Sequence, residues 1–379
     1  MISTSKTQNC FVLAGELSGE EHAQTFLPQV IERYPHFHFW GVGGEYFRQL
    51  GIELHYSIKD FSSMGFTDVI KKFSFYKEAR KKIIDLITER KTPVAILIDF
   101  QGFNMSLLKP LFEKNVKVLY FVAPQAWAWK SWRTKYLQNY VTKLYCILPF
   151  EEKWFKERGV LQAETVAHPS YFRLQKSEQE MRVGVEAKKL IVWLPGSRKG
   201  EIEIHWPIFL KVLQRVQEEF PHFQHAVVVS PAFKQLEFSI PENLSLKYFE
   251  AEELFSVLKN AHVAIAASGT VTLNCAFAKV ATIVCYRVNL INAWIFRSFI
   301  LYKGFVSLAN LLLNKKVYPE LLQEECHPKL IFLTLKKWLE NPAMVRDVEL
   351  ELEKLNDMQN KLPQSAFASM NEVFKAVEV

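Results

Sequence analysis

Leu190-Ile191-Val192-Trp193-Leu194-Pro195-Gly196-Ser197-Arg198 reads as a buried strand emptying into a tight turn that carries an arginine. Further along, Ala264-Ile265-Ala266-Ala267-Ser268-Gly269-Thr270 repeats the arrangement, an apolar strand followed by a polar turn. Two such turns at the ends of two strands of one sheet can hold both ends of a nucleotide diphosphate. Backbone N–H groups and hydroxyls supply directed hydrogen bonds, and Arg198 supplies charge. Taken singly each turn has a plainer reading: Ser-Gly-Thr is a common helix cap, and Arg198 can form a surface or interdomain ion pair.

Working outward, the chain alternates strand and helix patterns twice. In the first half strands are expected at 10–14, 37–42, 94–98, 116–122 and 145–148, with helices at 20–33, 67–89, 107–113 and 150–158. The polar stretch 174–189 reads as a linker. The pattern then restarts with strands at 191–194, 226–229, 246–249, 263–267 and 282–286, and helices at 204–220, 251–260 and 270–279. Two surface helices, 328–341 and 342–358, follow. Apolar strands separated by helices predict an α/β fold of two doubly wound, mostly parallel sheets, with a ligand cleft between their carboxyl edges.

Composition narrows the class. A chain of 379 residues exceeds one ordinary core. Its 49% apolar content suits a folded protein, and a mean hydropathy of −0.02 excludes a polytopic membrane protein. No apolar run reaches spanning length, and residues 1–10 show no secretory pattern. Cys10, Cys146, Cys275, Cys285 and Cys326 form no paired ligand motif; they read as core thiols in a reducing compartment. A net charge of +7 beside 30 Phe and 9 Trp points to phosphorylated small molecules or an anionic membrane surface. Nucleic acid is disfavoured, because no helix-turn-helix, zinc-ligand pair or aromatic sheet motif is present.

The remaining candidates sit after strands. Ala14-Gly15-Glu16-Leu17-Ser18-Gly19-Glu20-Glu21-His22 lacks dinucleotide-fingerprint spacing. Either Glu16 with His22 orients sugar hydroxyls, or Ser18 and Glu20 cap a helix. Gly41 to Gly44 form a second glycine turn. Asp99 ends a strand, where it is placed either to take a proton from a hydroxyl or to cap a helix; Asn104 either caps the next helix or binds substrate. Trp127, Trp129 and Trp132 lie among Lys130 and Arg133, fitting an acyl groove, a lipid headgroup region or a domain interface. Phe73, Phe75 and Tyr76 among Lys71, Lys72, Lys77, Arg80, Lys81 and Lys82 form a similar basic–aromatic patch. His168-Pro169 reads as a structural turn. Glu201 and Glu203 open a helix after Arg198, Asn310 ends a mixed loop from Val306, and residues 319–326 read by composition as an acidic helix start. No Asp-x-Asp pair near a strand end proposes a magnesium site.

In order and spacing these segments resemble the lipid-A-disaccharide synthases, bacterial glycosyltransferases. The resemblance runs through Ala14 to Glu20, Gly41 to Gly44, Met64-Gly65, Ile98-Asp99 with Phe103-Asn104, and Val122 to Trp129. It continues through Leu148 to Glu151, Leu194 to Arg198, Ala267 to Thr270, Val306 to Asn310 and Pro319 to Cys326, covering nearly the whole chain. It implies a GT-B arrangement of two Rossmann-like domains, 1–173 completed by about 343–379, and 174–342. It implies inverting, metal-independent transfer of 2,3-diacylglucosamine from its UDP derivative to the 6-hydroxyl of 2,3-diacylglucosamine 1-phosphate, giving the β-1,6-linked disaccharide 1-phosphate and UDP. No cofactor is implied, since the UDP sugar is a substrate.

On the same resemblance Asp99, Glu16 and Arg198 are the catalytic candidates. Ser197, Arg198, Ser268, Gly269, Thr270, Asn310, Glu320 and Gln323 are the UDP-sugar candidates. Met64, Phe103, Asn104, Trp127, Trp129, Trp132 and Arg133 are the acceptor and lipid candidates. The implied location is cytoplasmic, at the inner face of the bacterial inner membrane, with lipid-linked glucosamines as partners and both monomer and homodimer open. The chain departs from the family pattern of aspartate-x-proline-aspartate-phenylalanine-asparagine by carrying Gln101 and Gly102, so the second acid is lost. Ala167 replaces a glycine and Ala309 a proline. Another UDP-sugar GT-B enzyme or epimerase, and a noncatalytic UDP-sugar or lipid binder, share parts of this pattern.

Overall fold

Strand-forming runs that are apolar at every position belong inside a sheet covered on both faces, and the chain builds two of them. The computed structural model describes residues 8–62, 69–127, 130–177, 189–236, 241, 243–287 and 304–378; Met64 and Trp129 lie outside the described residues. Contacts divide the chain into Met1–Pro169 with Leu362–Val379, and Ser170–Lys361.

In the first unit β1 (Gln8–Ala14), β2 (Phe37–Gly43), β3 (Glu53–Ser57), β4 (Val94–Ile98), β5 (Lys117–Phe121), β6 (Lys143–Cys146) and β7 (Ala163–Thr165) form a parallel sheet. The order is β3-β2-β1-β4-β5-β6-β7. One face is covered by the helices Val69–Glu89, Gln101–Glu113 and Arg133–Tyr140, through Ala79, Ile83, Ile87, Leu107, Leu108, Leu111 and Leu137. On the other face the terminal helix Phe367–Val377 stacks Phe374 on Tyr34 at 4.8 Å and sets it edge-on to Phe37 at 5.2 Å.

In the second unit β8 (Leu190–Leu194), β9 (Gln224–Val229), β10 (Lys247–Glu250), β11 (Ala261–Ala267), β12 (Ala281–Tyr286) and β13 (Glu320–Leu322) are ordered β10-β9-β8-β11-β12-β13, again with parallel pairs. Alternate residues of β8 feed two cores. Ile191 and Trp193 meet Trp206 and Phe209 of helix Lys199–Glu219 and Leu335 of helix Pro328–Glu340. Val192 and Leu194 meet Leu273 of helix Thr270–Phe277 and Leu352 and Leu355 of helix Pro342–Asn360.

That last contact corrects the domain boundary expected near residue 343. Leu352 and Leu355 are fully enclosed against the second unit, and each buried leucine contributes about 2 kcal/mol. Only Leu362 onward joins the first unit. Likewise the expected linker begins later, since helix Pro169–Ser177 occupies its first residues. The expected helix 20–33 is two, Leu17–Ala23 and Leu27–Arg33, divided just before Pro28, which has no N–H for a continuous ladder. The segment read as an acidic helix start is instead the edge strand β13 followed by a 3-10 turn, Gln323–Glu325. The mixed loop ends in a helix, Leu308–Leu313, capped by Ser307. Among the described residues no helix is long and apolar enough to cross a membrane.

Candidate active site

Each sheet reverses its strand order once, between β1 and β4 in the first unit and between β8 and β11 in the second. At such a point the two connections leave toward opposite faces, so a crevice opens beyond the carboxyl ends of the two strands. The carboxylate and diphosphate candidates stand at these two places. Ala14 pairs with Ile98, which puts Glu16 and Asp99 just beyond the first reversal. Leu194 pairs with Ala266, which puts Ser197 and Arg198 beside Ser268 and Gly269 at the second.

Asp99 and Phe100 both lie in the left-handed region, at φ 48° and 43°, a conformation two consecutive side-chain-bearing residues adopt only when their surroundings impose it. The imposing contacts are identifiable. Asn104, fully buried, donates its amide N–H to the Asp99 carbonyl at 2.6 Å and to the Ile98 carbonyl at 3.3 Å. The Tyr120 hydroxyl donates to the same Asp99 carbonyl at 3.4 Å. The Phe100 ring lies so close to Gly15 that a Cβ there would sit 2.3 Å from it, and only glycine fits. Asn104 therefore supports the turn from beneath. Burial, with the exposed Glu16 carboxylate adding to it, pushes the Asp99 carboxyl up to about 6, against hydrogen bonds from the Phe100 N–H and the Ser18 hydroxyl.

Beside Asp99 lies an aromatic cluster. Phe61 meets Phe100 at 5.5 Å and Phe103 at 5.2 Å, and Tyr76 meets Phe103 at 5.7 Å. Arg133 is buried and donates to Gln101 Oε1 at 2.9 Å. Gly102 faces open space, with nothing within 4 Å of a Cβ built on it. Trp127 donates its indole N–H to Glu151 at 2.9 Å. Glu151, only 1% exposed, also accepts from the Leu148 N–H, and burial raises its carboxyl to about 7. Trp132, by contrast, is 61% exposed at the start of helix Arg133–Tyr140, with Tyr136 beside it.

In the second unit Gly196 has φ 116°, and a Cβ there would meet the Glu201 carboxylate at 2.9 Å. Ser197 is exposed, and so is Arg198, whose guanidinium donates to Glu201 at 3.3 Å. One turn on, His205 contacts the Glu201 carbonyl through Nδ1 at 2.8 Å and accepts the Arg287 N–H at Nε2, which assigns its proton to Nδ1. Ser268 donates its backbone N–H to the Cys285 carbonyl, and Gly269 begins helix Thr270–Phe277 with no side-chain cap, leaving that helix start open to an acceptor. Asn274, one turn inside the helix, is buried with its carbonyl oxygen unpartnered.

Glu320 accepts the N–H groups of Val306 and Ser307 at 3.1 and 2.8 Å and the Asn310 amide at 2.9 Å. Asn310 is fully enclosed. Its amide serves Tyr318 and Glu320, and its carbonyl accepts from Val317 and Tyr318. The expected contact of Asn310 with the diphosphate or base gives way to a supporting role, because every polar position of its side chain is occupied. Gln323 is held at φ 50° directly after β13.

Several positions carry more than their sequence reading gave them. The capping expected of Glu20 serves a different helix: its carboxylate takes the N–H groups of Gly44 and Phe47 at the start of helix Glu45–Gln49, whose own cap residue is a glycine. Ser18 does not cap helix Leu17–Ala23, whose start has no side-chain cap. His22 is buried edge-on against His168, ring centroids 6.1 Å apart. Glu151 stood in a quoted motif, but its partner Trp127 is 24 residues away and the pairing has no local signal.

Comparison with known proteins follows the same geometry. A family model described as lipid-A-disaccharide synthetase matches residues 10–374. The lipid-A-disaccharide synthase of Myxococcus xanthus is 32% identical over 374 residues, covering 94% of each chain. That of Gluconobacter oxydans is 32% identical, covering 88% of this chain and 82% of its own. Among solved structures, a putative UDP-N-acetylglucosamine 2-epimerase from Listeria monocytogenes superposes with a TM-score of 0.62 at 9% identity, covering 98% of this chain and 96% of that one. At that identity the likeness is one of fold.

Proposed function

The chain belongs to the lipid-A-disaccharide synthase family, and from that premise we infer how its residues transfer 2,3-diacylglucosamine from the UDP derivative to 2,3-diacylglucosamine 1-phosphate. Asp99 carries the reading: a carboxylate at a sheet reversal, held by a strained turn, with a proton affinity raised to about 6. A base so tuned is ionised at neutral pH yet takes up a proton readily. It receives the proton of the acceptor 6-hydroxyl as that oxygen attacks the anomeric carbon from the face opposite UDP. Glu16 orients the acceptor sugar and raises the basicity of Asp99.

The departing diphosphate gathers charge as its bond to the sugar breaks. Arg198, the Ser197 hydroxyl and the donors of Ser268, Gly269 and Thr270 meet it, while Glu320, with capacity for another hydrogen bond, and Gln323 hold the ribose side. Trp127 and Trp132 line the acyl side, while the buried Phe103 and Arg133 support it through the aromatic cluster and the bond to Gln101. The outward cations and aromatics seat the protein on the anionic cytoplasmic face of the inner membrane, where both lipid substrates reside.

The test is incubation of purified protein with both substrates in detergent containing EDTA, with UDP and disaccharide followed by mass spectrometry. Both products in equal amount are expected. UDP without disaccharide would overturn the acceptor assignment, and no turnover by a folded, UDP-binding sample would overturn the donor assignment or the independence from metal.

A further inference from the structure

β5 ends beside β4, since Phe121 pairs with Ile98, and the Asp99 N–H donates to the Phe121 carbonyl at 2.9 Å. The next residue, Val122, lies in the left-handed region at φ 68°, where a β-branched side chain is a rare and strained occupant. Its neighbours impose that turn. Ala123 donates its N–H to the Tyr145 carbonyl of β6 at 2.9 Å, and both Ala123 and Ala126 are buried in the core. The loop 122–127 therefore leaves the sheet at the same carboxyl edge as Asp99 and ends on Trp127.

What fixes Trp127 comes from the following strand. Glu151 opens helix Glu151–Lys156, just after β6, and is buried. One of its carboxylate oxygens accepts the Trp127 indole N–H at 2.9 Å, and the other accepts the Leu148 N–H at 3.2 Å. The Phe150 ring meets the indole edge-on at 5.1 Å. An indole has a single polar atom, a donor, and here it is turned inward onto a buried carboxylate. The rest of this half-buried ring is hydrocarbon, the surface against which an acyl chain leaves water. A hydrogen bond to a carboxylate is stronger than a neutral one, so it holds the ring in one orientation.

We infer that Glu151 is a positioning residue that sets specificity for acyl chains: by holding the Trp127 N–H inward, it presents the apolar surface of the indole to the acyl groups of the acceptor. The inference rests on Trp127 lining the acyl side. Glu151 takes no part in proton transfer and acts through Trp127 alone.

The test compares kcat/KM for 2,3-diacylglucosamine 1-phosphate bearing long and short acyl chains, with the UDP donor held constant. The full chain is measured as wild type, Trp127→Ala, Glu151→Leu and the double variant, with melting temperature as the folding control. Leucine fills the space of Glu151 but accepts no hydrogen bond. The preference for long chains should fall about threefold or more in each single variant, and no further in the double one. A general loss of structure lowers both substrates alike and leaves their ratio unmoved. An unchanged ratio in Glu151→Leu beside a reduced one in Trp127→Ala overturns the role of Glu151 and spares that of Trp127. Losses that add in the double variant overturn it too, since Glu151 then acts through something else. An unchanged ratio in Trp127→Ala sinks the acyl-side reading itself. If Glu151→Leu does not fold, Glu151→Gln decides, because one amide oxygen must then serve two donors: a reduced ratio supports the inference, and the wild-type ratio overturns it.

Discussion

Asp99 and Glu151 are both carboxyls raised mainly by burial, to about 6 and about 7, yet their surroundings give them different work. Asp99 is half-buried at a crevice and keeps lone pairs free, whereas Glu151 is enclosed and bonded to Trp127 and Leu148. Asp99→Asn should lower kcat by about 10²–10⁴-fold, the range for losing a general base, with UDP affinity unchanged by calorimetry. Turnover near wild type would remove it from the mechanism. For Glu151 the consequence concerns stability. Its folded-state value exceeds its ordinary 4.5, so the folded chain binds the extra proton between about 4.5 and 7 and loses stability as pH rises through that window. The full effect is about 3 kcal/mol. Glu151→Gln should remove that slope, read as the difference between denaturation midpoints of variant and wild type at pH 5 and pH 8. Arg198, 79% exposed and paired only with its helix neighbour Glu201 among the bonds described, is free to turn to a phosphate. Arg198→Ala should weaken use of the UDP donor about tenfold or more, with Arg198→Lys recovering part through charge without the planar fork. Unchanged donor kinetics would exclude the clamp.

At the scale of elements, the central strands were legible because continuous apolar runs leave few alternatives, and the residues at their carboxyl ends marked both sheet reversals. The edge strands β3 and β7 were not, since Glu53 to Ser57 and Ala163 to Thr165 are short and partly exposed and so lack the signal. Helix Gln101–Glu113 begins well before its expected start. Gly102 and Asn104 in its first turn are poor helix formers, and the turn is held instead by the buried bonds of Asn104. Glu151 escaped because its role depends on Trp127, a neighbour that folding, not sequence, supplies. Two glycines in adjacent turns separate structural from functional need. Gly15→Ala forces a methyl into the Phe100 ring and should cost about 1–3 kcal/mol while disturbing the Asp99 turn. Gly102→Asp, which restores the acid usual in the family, enters open space and should leave the melting temperature within about 2 °C, consistent with the small effect expected away from packed features. A large loss of stability in the second variant, or none in the first, would contradict these contacts.

For the molecule as a whole, a net charge of +7 must be set beside where exposed aromatics and cations fall. Helix Val69–Glu89 shows Phe73 at 74% exposure together with Lys77, Arg80, Lys81 and Lys82. Around helix Arg133–Tyr140, Trp132 and Tyr136 are exposed beside the exposed Lys130 and Lys135, and residues 130–143 contain no acid. Both patches belong to the first unit. An amphipathic surface of this kind binds an anionic bilayer by two separable contributions: long-range attraction, screened over about 8 Å at physiological salt, and aromatic insertion, which salt leaves intact. The protein should therefore sediment with vesicles containing phosphatidylglycerol and much less with phosphatidylcholine vesicles. Raising the salt to 1 M, where screening acts over about 3 Å, should release most but not all of it. Replacing Trp132 and Tyr136 together by alanine should remove the salt-resistant fraction while sparing the salt-sensitive one. Equal binding to neutral and anionic vesicles would rule out the cationic contribution, and a salt-resistant fraction unaffected by the double replacement would place the insertion elsewhere than on this helix.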